Sequence, residues 1–130
     1  MQSLNGKVVI ITGASSGIGK ACAMAFANAG ASVVMSARNQ TNLNASVEEI
    51  KTTGAKVLAV SGDVSVENDC KNLIDETLKT FGRIDILINN AGISMRALFA
   101  DVDLKVIRQL MDINFWGTVY CTRFALNEIL

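Results

Sequence analysis

Apolar runs begin near Val8, Val33, Val57 and Ile84, about 25 residues apart. The runs over 33–36, 57–60 and 84–88 are short and apolar except at Ser36 and Asp85, as expected of strands covered on both faces. Helical periodicity fills the gaps. Ile18, Ala21, Cys22, Ala25, Phe26 and Ala29 recur at spacings of three and four, as do Leu43, Val47 and Ile50. Val66, Cys70, Leu73, Ile74, Thr77 and Leu78 form a third stripe. Gly30, Gly54 and Gly82 stand where each helix should stop, and Ser65 is placed to cap the third, with acidic residues in its first turn. From Asp103 to Leu130 the pattern is helical throughout, with a kink expected around Asn114 and Gly117. Strands alternating with helices in this way predict βαβ units, a parallel sheet and a doubly wound α/β domain. Four strands without a fifth imply the order 3-2-1-4, with a crevice between strands 1 and 4, where the direction of winding reverses.

The first strand runs into Thr12-Gly13-Ala14-Ser15-Ser16-Gly17-Ile18-Gly19, and a helix opens near Ile18. The first N–H groups of a helix have no helical partner, and the helix dipole favours an anion beside them. A tight glycine turn at that point lets a diphosphate approach the backbone. The hydroxyls of Thr12, Ser15 and Ser16 add candidate donors. Most glycine-rich loops are only turns; the strand before this one and the helix after it make it a candidate nucleotide site.

Composition narrows the picture. The 130 residues form one domain, half of them apolar, long enough for a real core. Twelve basic and twelve acidic residues cancel, so neither nucleic acid nor a membrane surface is an expected partner. Three distant cysteines (Cys22, Cys70 and Cys121) and no histidine argue against a metal site, a histidine base and a disulfide framework. Each cysteine reads as a small buried hydrophobe. Without a signal sequence or a long apolar run, the expected location is cytoplasmic. Proline is absent, where average usage of about 5% predicts six or seven. Together with a final helical pattern that carries no stop signal, this leads us to expect an edited or truncated chain.

Four stretches in register then resemble the short-chain dehydrogenases/reductases. They are Thr12–Gly19, Asp63-Val64, Asn89-Asn90-Ala91-Gly92 and Asn114 within Met111-Asp112-Ile113-Asn114. The resemblance runs the length of the chain and implies a Rossmann-like, dinucleotide-binding domain over residues 1–130, incomplete relative to the family. It implies that Gly13, Ser15, Ser16, Gly17, Ile18 and Gly19 hold the diphosphate. Asp63 and Val64 would meet the adenine edge, although Asp63 could simply close a strand end. Asn90, Ala91 and Gly92 would line the ribose. Asn114 occupies the family's helix-kink position, which in complete enzymes holds the lysine that assists proton transfer.

Charge bears on the choice of cofactor. After strand 2 the chain reads Ser36-Ala37-Arg38-Asn39, without the acidic residue of members that prefer NAD. Arg38 offers a planar fork of donors to a 2′-phosphate, and Ser36 and Asn39 add neutral hydrogen bonds. NADP(H) is therefore favoured over NAD(H), the alternative being that Arg38 is a solvated surface arginine.

The family's catalytic serine, and its tyrosine with a lysine four residues later, have no counterparts here. Tyr120 is followed at that spacing by Phe124, so it reads as a packing residue. General acid–base action contributes about 10²–10⁴-fold, so the chain is expected to bind rather than catalyse. Strand 4 and the long helix should expose apolar surface, which predicts a homodimer or higher oligomer through either or both. A Rossmann folding unit that self-associates without cofactor, and an enzyme completed by a second chain, are the alternatives.

Overall fold

A computed structural model describes residues 3–130. Its strands are β1 (Val8–Thr12), β2 (Ser32–Ala37), β3 (Val57–Ser61) and β4 (Ile86–Ile88). They form one parallel sheet in the order β3-β2-β1-β4, as the periodicity predicts. The helices are α1 (Gly17–Asn28), α2 (Gln40–Lys51), α3 (Glu67–Phe81), α4 (Leu104–Met111) and α5 (Gly117–Ile129).

Alternation along the strands divides the core into two layers. Val9, Ile11, Val33 and Met35 pack with Ala23, Ala27, Leu43, Val47 and Ile50, on the side of α1 and α2. Val8, Ile10, Val34 and Val60 pack with Cys70, Leu73, Ile74, Cys121 and Ala125, on the side of α3 and α5. β1 is buried along its whole length. This is what an inner strand with helices on both faces requires.

Several local expectations change. The buried face of α1 is Gly19, Ala23 and Ala27, not the stripe through Ile18, Ala21 and Ala25; Ile18 is 75% exposed. Small residues at every fourth position let α1 lie close to the sheet, and in a helix apolar nearly all round a stripe of larger side chains misleads. Cys22 is only half-buried. Ile84 is buried but precedes β4; its neighbour Asp85 accepts the Val8 N–H (2.8 Å) and ties the start of β1 to this segment.

Ser65 does not cap α3. Its N–H and hydroxyl both donate to Asp63 Oδ1 (2.9 and 2.7 Å), which draws it into a turn, and Val66 stands at the cap position. The acidic first turn is present as Glu67 and Asp69. Gly30, Gly54 and Gly82 follow their helices with left-handed backbone.

The C-terminal helical stretch spans 26 residues and is interrupted where expected: Asp112–Trp116 form a π-turn between α4 and α5. The extra residue in such a turn shifts the helix face. Of this stretch Ile113, Gly117, Cys121 and Ala125 are buried. Phe115, Val119, Leu126 and Ile129 are exposed. No helix of the described residues is long and apolar enough to cross a membrane.

Candidate functional site

An open cavity of about 630 Å³ lies over the C-terminal ends of the strands. Its floor is the turn between β1 and α1, and three backbone groups of that turn have defined partners. The Ala14 N–H donates to the Ser36 carbonyl (3.0 Å), the Asn90 amide donates to the Gly13 carbonyl (3.0 Å), and the Ser46 hydroxyl donates to the Ser15 carbonyl (2.6 Å).

Two glycines explain why no side chain fits here. At Gly13, φ is +61° and an added Cβ would come within 2.8 Å of the Ala91 Cα. At Gly19 an added Cβ would overlap the Gly13 carbonyl oxygen. Gly17 also has a left-handed φ of +57°, but nothing lies within 4 Å of where its Cβ would be, so open space begins there.

Ser16 is the cap residue of α1, and its hydroxyl makes no capping bond. The first intrahelical N–H of α1 is that of Lys20, donated to the Ser16 carbonyl (3.3 Å). Among the described residues, the N–H groups of Gly17, Ile18 and Gly19 therefore have no helical acceptor, and the positive end of the helix dipole stands at the cavity. Donors without acceptors beside a space lacking side chains fit an anionic diphosphate.

Thr12 does not take the part assigned to it. It is buried, and its hydroxyl oxygen accepts the N–H groups of Asn90 (3.1 Å) and Ala91 (3.0 Å). The hydroxyl thus joins the end of β1 to the segment after β4 instead of facing the cavity.

The other candidates gather round the same space. Ser15, Ser16, Arg38, Asn39, Asp63, Val64, Asn90, Ala91 and Gly92 line it with Gly13. Gly17, Ile18 and Gly19 form the first turn of α1 next to Ser16 and are not among the residues that line it. Arg38 is exposed and forms no salt bridge among the described residues. Asn39 caps α2, its Oδ1 accepting the Asn42 N–H (2.9 Å), so only its amide nitrogen can serve a ligand.

The Asp63 loop is held from α3. Asp69 Oδ2 accepts the Asp63 N–H (2.9 Å), and the Cys70 thiol donates to the Val64 carbonyl (3.3 Å). Hydrogen bonding with Cys121, reinforced by burial, pushes the Cys70 thiol up, which marks it as a packing thiol rather than a nucleophile.

Asn114 sits in the π-turn. Its Oδ1 accepts the Ile93 N–H (2.9 Å) and its Nδ2 donates to the Ile93 carbonyl (2.8 Å), so one side chain satisfies both backbone groups of that residue. Gly92 lies beneath it, where a Cβ would approach Asn114 Oδ1 to 3.2 Å. Tyr120 is partly buried against the core, its ring 5.9 Å from that of Trp116.

Sequence reading missed Ser46, Gly62, Ile93 and Ile113. Ile113 and Ile93 line the cavity through the π-turn and the Asn114 contact, and an irregular helix hides such residues from periodicity. Gly62 follows β3, and its Cβ would meet that of Asp69 at 3.2 Å.

The profile of the family described as short chain dehydrogenase matches residues 7–130. The chain belongs to the short-chain dehydrogenase family. It is 48% identical over 130 residues to an 11-beta-hydroxysteroid dehydrogenase of Pinus massoniana, covering 98% of this chain and 36% of that protein. It is 44% identical to 11-beta-hydroxysteroid dehydrogenase-like 2 of Arabidopsis thaliana, again over 98% of this chain and 42% of the relative. The L-sorbose reductase of Gluconobacter frateurii, solved with NADPH and L-sorbose, superposes with a TM-score of 0.94 at 30% identity, over 98% of this chain and 49% of that one. A hydroxysteroid dehydrogenase from Escherichia coli gives 0.92 at 36% identity, over 97% of this chain and 53% of that one. This short-chain dehydrogenase chain thus spans less than half the length of those curated relatives.

Proposed function

We propose that this chain is the cofactor-binding portion of an NADP(H)-dependent short-chain dehydrogenase/reductase, holding the adenosine-diphosphate half of the dinucleotide. The observation that carries this reading is the turn after β1, where partnerless N–H groups of α1 border a space that side chains leave open. In this reading Ser15, Ser16, Gly17, Ile18 and Gly19 hold the diphosphate. Asp63 and Val64 meet the adenine, and Asn90, Ala91 and Gly92 line the ribose. Arg38 and the Asn39 amide take the 2′-phosphate, a preference supported by the lack of any carboxylate in the stretch after β2.

The bound nicotinamide supplies hydride transfer to or from a carbonyl or alcohol. The names of the curated relatives favour a hydroxysteroid-type alcohol as the substrate of the whole protein. Within these 130 residues no tyrosine is followed four positions later by lysine, so the chain by itself binds and does not turn over. Asn114 keeps a positioning role through Ile93.

The test is thermal shift with NADPH and NADH on the unsubstituted chain and on Arg38→Ala. We expect stabilisation by NADPH above that by NADH, and equal responses once Arg38 is removed. Equal responses in the unsubstituted chain would defeat the assignment of Arg38.

A second expectation concerns partners. Leu98, Phe99, Met111, Phe115, Trp116 and Leu126 are exposed, and β4 has no strand neighbour on its outer side among the described residues. Together these favour self-association through the long C-terminal helix, β4, or both. Sedimentation equilibrium at micromolar concentration should find a dimer or larger species, and a monomer would refute it.

A further inference from the structure

The chain has eleven asparagines, and their surroundings divide them. Asn28, Asn42, Asn44, Asn68, Asn72 and Asn127 lie in α1, α2, α3 and α5, where the ladder of helical bonds occupies backbone N–H groups. Asn39, Asn89, Asn90 and Asn114 have side chains hydrogen-bonded to Asn42, Thr122, Gly13 and Ile93. Asn5 has neither protection. It is exposed and precedes β1. Its backbone N–H donates to the Ser3 hydroxyl (3.2 Å), but its side chain has no hydrogen-bond partner among the described residues.

Asn5 is also the one asparagine followed by glycine. Gly6 is exposed, and its N–H has no acceptor among the described residues. Nothing lies within 4 Å of where its Cβ would be. A side chain at this position would shield the nitrogen, and a hydrogen bond would hold it back; neither is present. Bonding of the Gly6 nitrogen to the Asn5 Cγ closes a succinimide ring. The nitrogen gives up its proton, the Cγ–Nδ2 bond breaks, and ammonia leaves with that proton. Water then opens the ring. Addition at Cγ gives aspartate, and addition at the main-chain carbonyl gives isoaspartate.

Both products form at a fastened place. The Leu4 N–H donates to the Ala29 carbonyl (2.9 Å) and the Lys7 N–H to the Leu4 carbonyl (3.0 Å), so the turn over residues 4–7 is tied to the C-terminal end of α1. Asn5 Oδ1 lies against Gly30, where an added Cβ would overlap it. Aspartate brings a negative charge to the negative end of the helix dipole, and Lys56 in the same hollow offsets only part of it. Isoaspartate lengthens the main chain inside the turn, so the bonds of Leu4 and Lys7 no longer fit together.

We propose that Asn5 is a modification site, which deamidates spontaneously in the folded chain and loosens the attachment of its turn to α1. The reaction needs only water and is independent of the NADP(H) reading.

The test is to incubate the unsubstituted chain, folded and in urea, at mildly alkaline pH and to map its tryptic peptides by mass. In the folded chain the peptide ending at Lys7 should pass from amide to acid and split into aspartyl and isoaspartyl species. Its conversion should exceed that of any other asparagine by about tenfold or more. Acid that forms in urea while the folded chain keeps its amide would overturn the proposal, because the fold would then be protecting Asn5. Equal conversion at several asparagines would overturn it as well. Hydroxylamine, which opens a succinimide, should cut the folded chain between Asn5 and Gly6, and a chain left whole would count against the ring. Amide exchange reads the consequence. In the isoaspartyl form the Leu4 amide should exchange faster, while Ala14, beyond the other end of β1, is unchanged; a Leu4 amide that exchanges as before would refute the loosening.

Discussion

The turn after β1 and the segment after β4 line the same cavity, yet they are secured in different ways. The first follows a strand with no exposed residue, and its carbonyls at Gly13 and Ser15 are held by side chains from two other parts of the chain. The second follows a three-residue strand that is only half-buried, and leads to Leu98 and Phe99, which are 74% and 82% exposed. It is held chiefly by Thr12 at its start and Asn114 further on. The turn that we propose holds the diphosphate is thus preorganised by buried packing and hydrogen bonds to its backbone. The opposite end depends on a few polar side chains, one of them in a π-turn. Preorganisation of this kind lowers the ordering cost of binding, so affinity should reside mainly at the phosphate end.

The sharpest way to break this contrast is Gly19→Ala. Its Cβ would enter the Gly13 carbonyl, a backbone atom that cannot rotate aside. We expect a loss of about 3 kcal/mol of stability in urea unfolding, the upper range for overpacking. Gly17→Ala, which faces open space, should cost only the left-handed backbone, about 1 kcal/mol. Similar losses at the two sites would contradict the packed floor.

The two anchors of the segment after β4 should also differ. Thr12→Val leaves the partly buried N–H groups of Asn90 and Ala91 without their acceptor and should cost about 2 kcal/mol. Asn114→Ala removes the exposed bonds to Ile93 and should cost about 1 kcal/mol, with hydrogen exchange accelerated after residue 92. If Asn114→Ala cost more, the weight assigned to the two anchors would be reversed.

A smaller effect concerns the entrance to β1. Hydrogen bonding to Arg83, helped by the Val8 N–H and opposed by partial burial, holds the Asp85 carboxyl below its ordinary value of 3.8. The folded-state value lies below the unfolded one. Its contribution is therefore present above the unfolded value and is lost as pH falls through the folded one. Stability of the unsubstituted chain should decline below about pH 4 more steeply than that of Asp85→Asn. Parallel pH profiles would show that this carboxylate does not contribute.

Much of this was legible from periodicity. Short runs rich in Val, Ile and Leu located all four strands, because strands covered on both faces need no alternation. The alternation of strands and helices led to the sheet order, and the turn of glycines with the resemblance after it led to most of the cavity lining. What stayed hidden was of two kinds. Side chains that bond to distant backbone, such as Thr12, Ser46 and Asp69, carry no periodic signal; only the folded chain brings them to their acceptors. Helix faces were misread where size rather than polarity decided burial. On α1 the glycine and the alanines lie inward while Ile18 faces out. Beyond the π-turn, the shift of register leaves Val119 and Leu126 exposed. Ser65 followed a local rule for helix caps, and the nearer acceptor on Asp63 prevailed.

The central claim is that this chain retains a working, phosphate-selective half of a dinucleotide site. Isothermal calorimetry of the chain with NADPH and, separately, NADH tests it most directly. The account predicts one-to-one binding of NADPH, tighter than NADH by about tenfold or more, as expected for a charge-assisted contact between Arg38 and the 2′-phosphate. No heat of binding with either ligand up to millimolar concentration would contradict it, and the glycine turn would then be fold architecture alone.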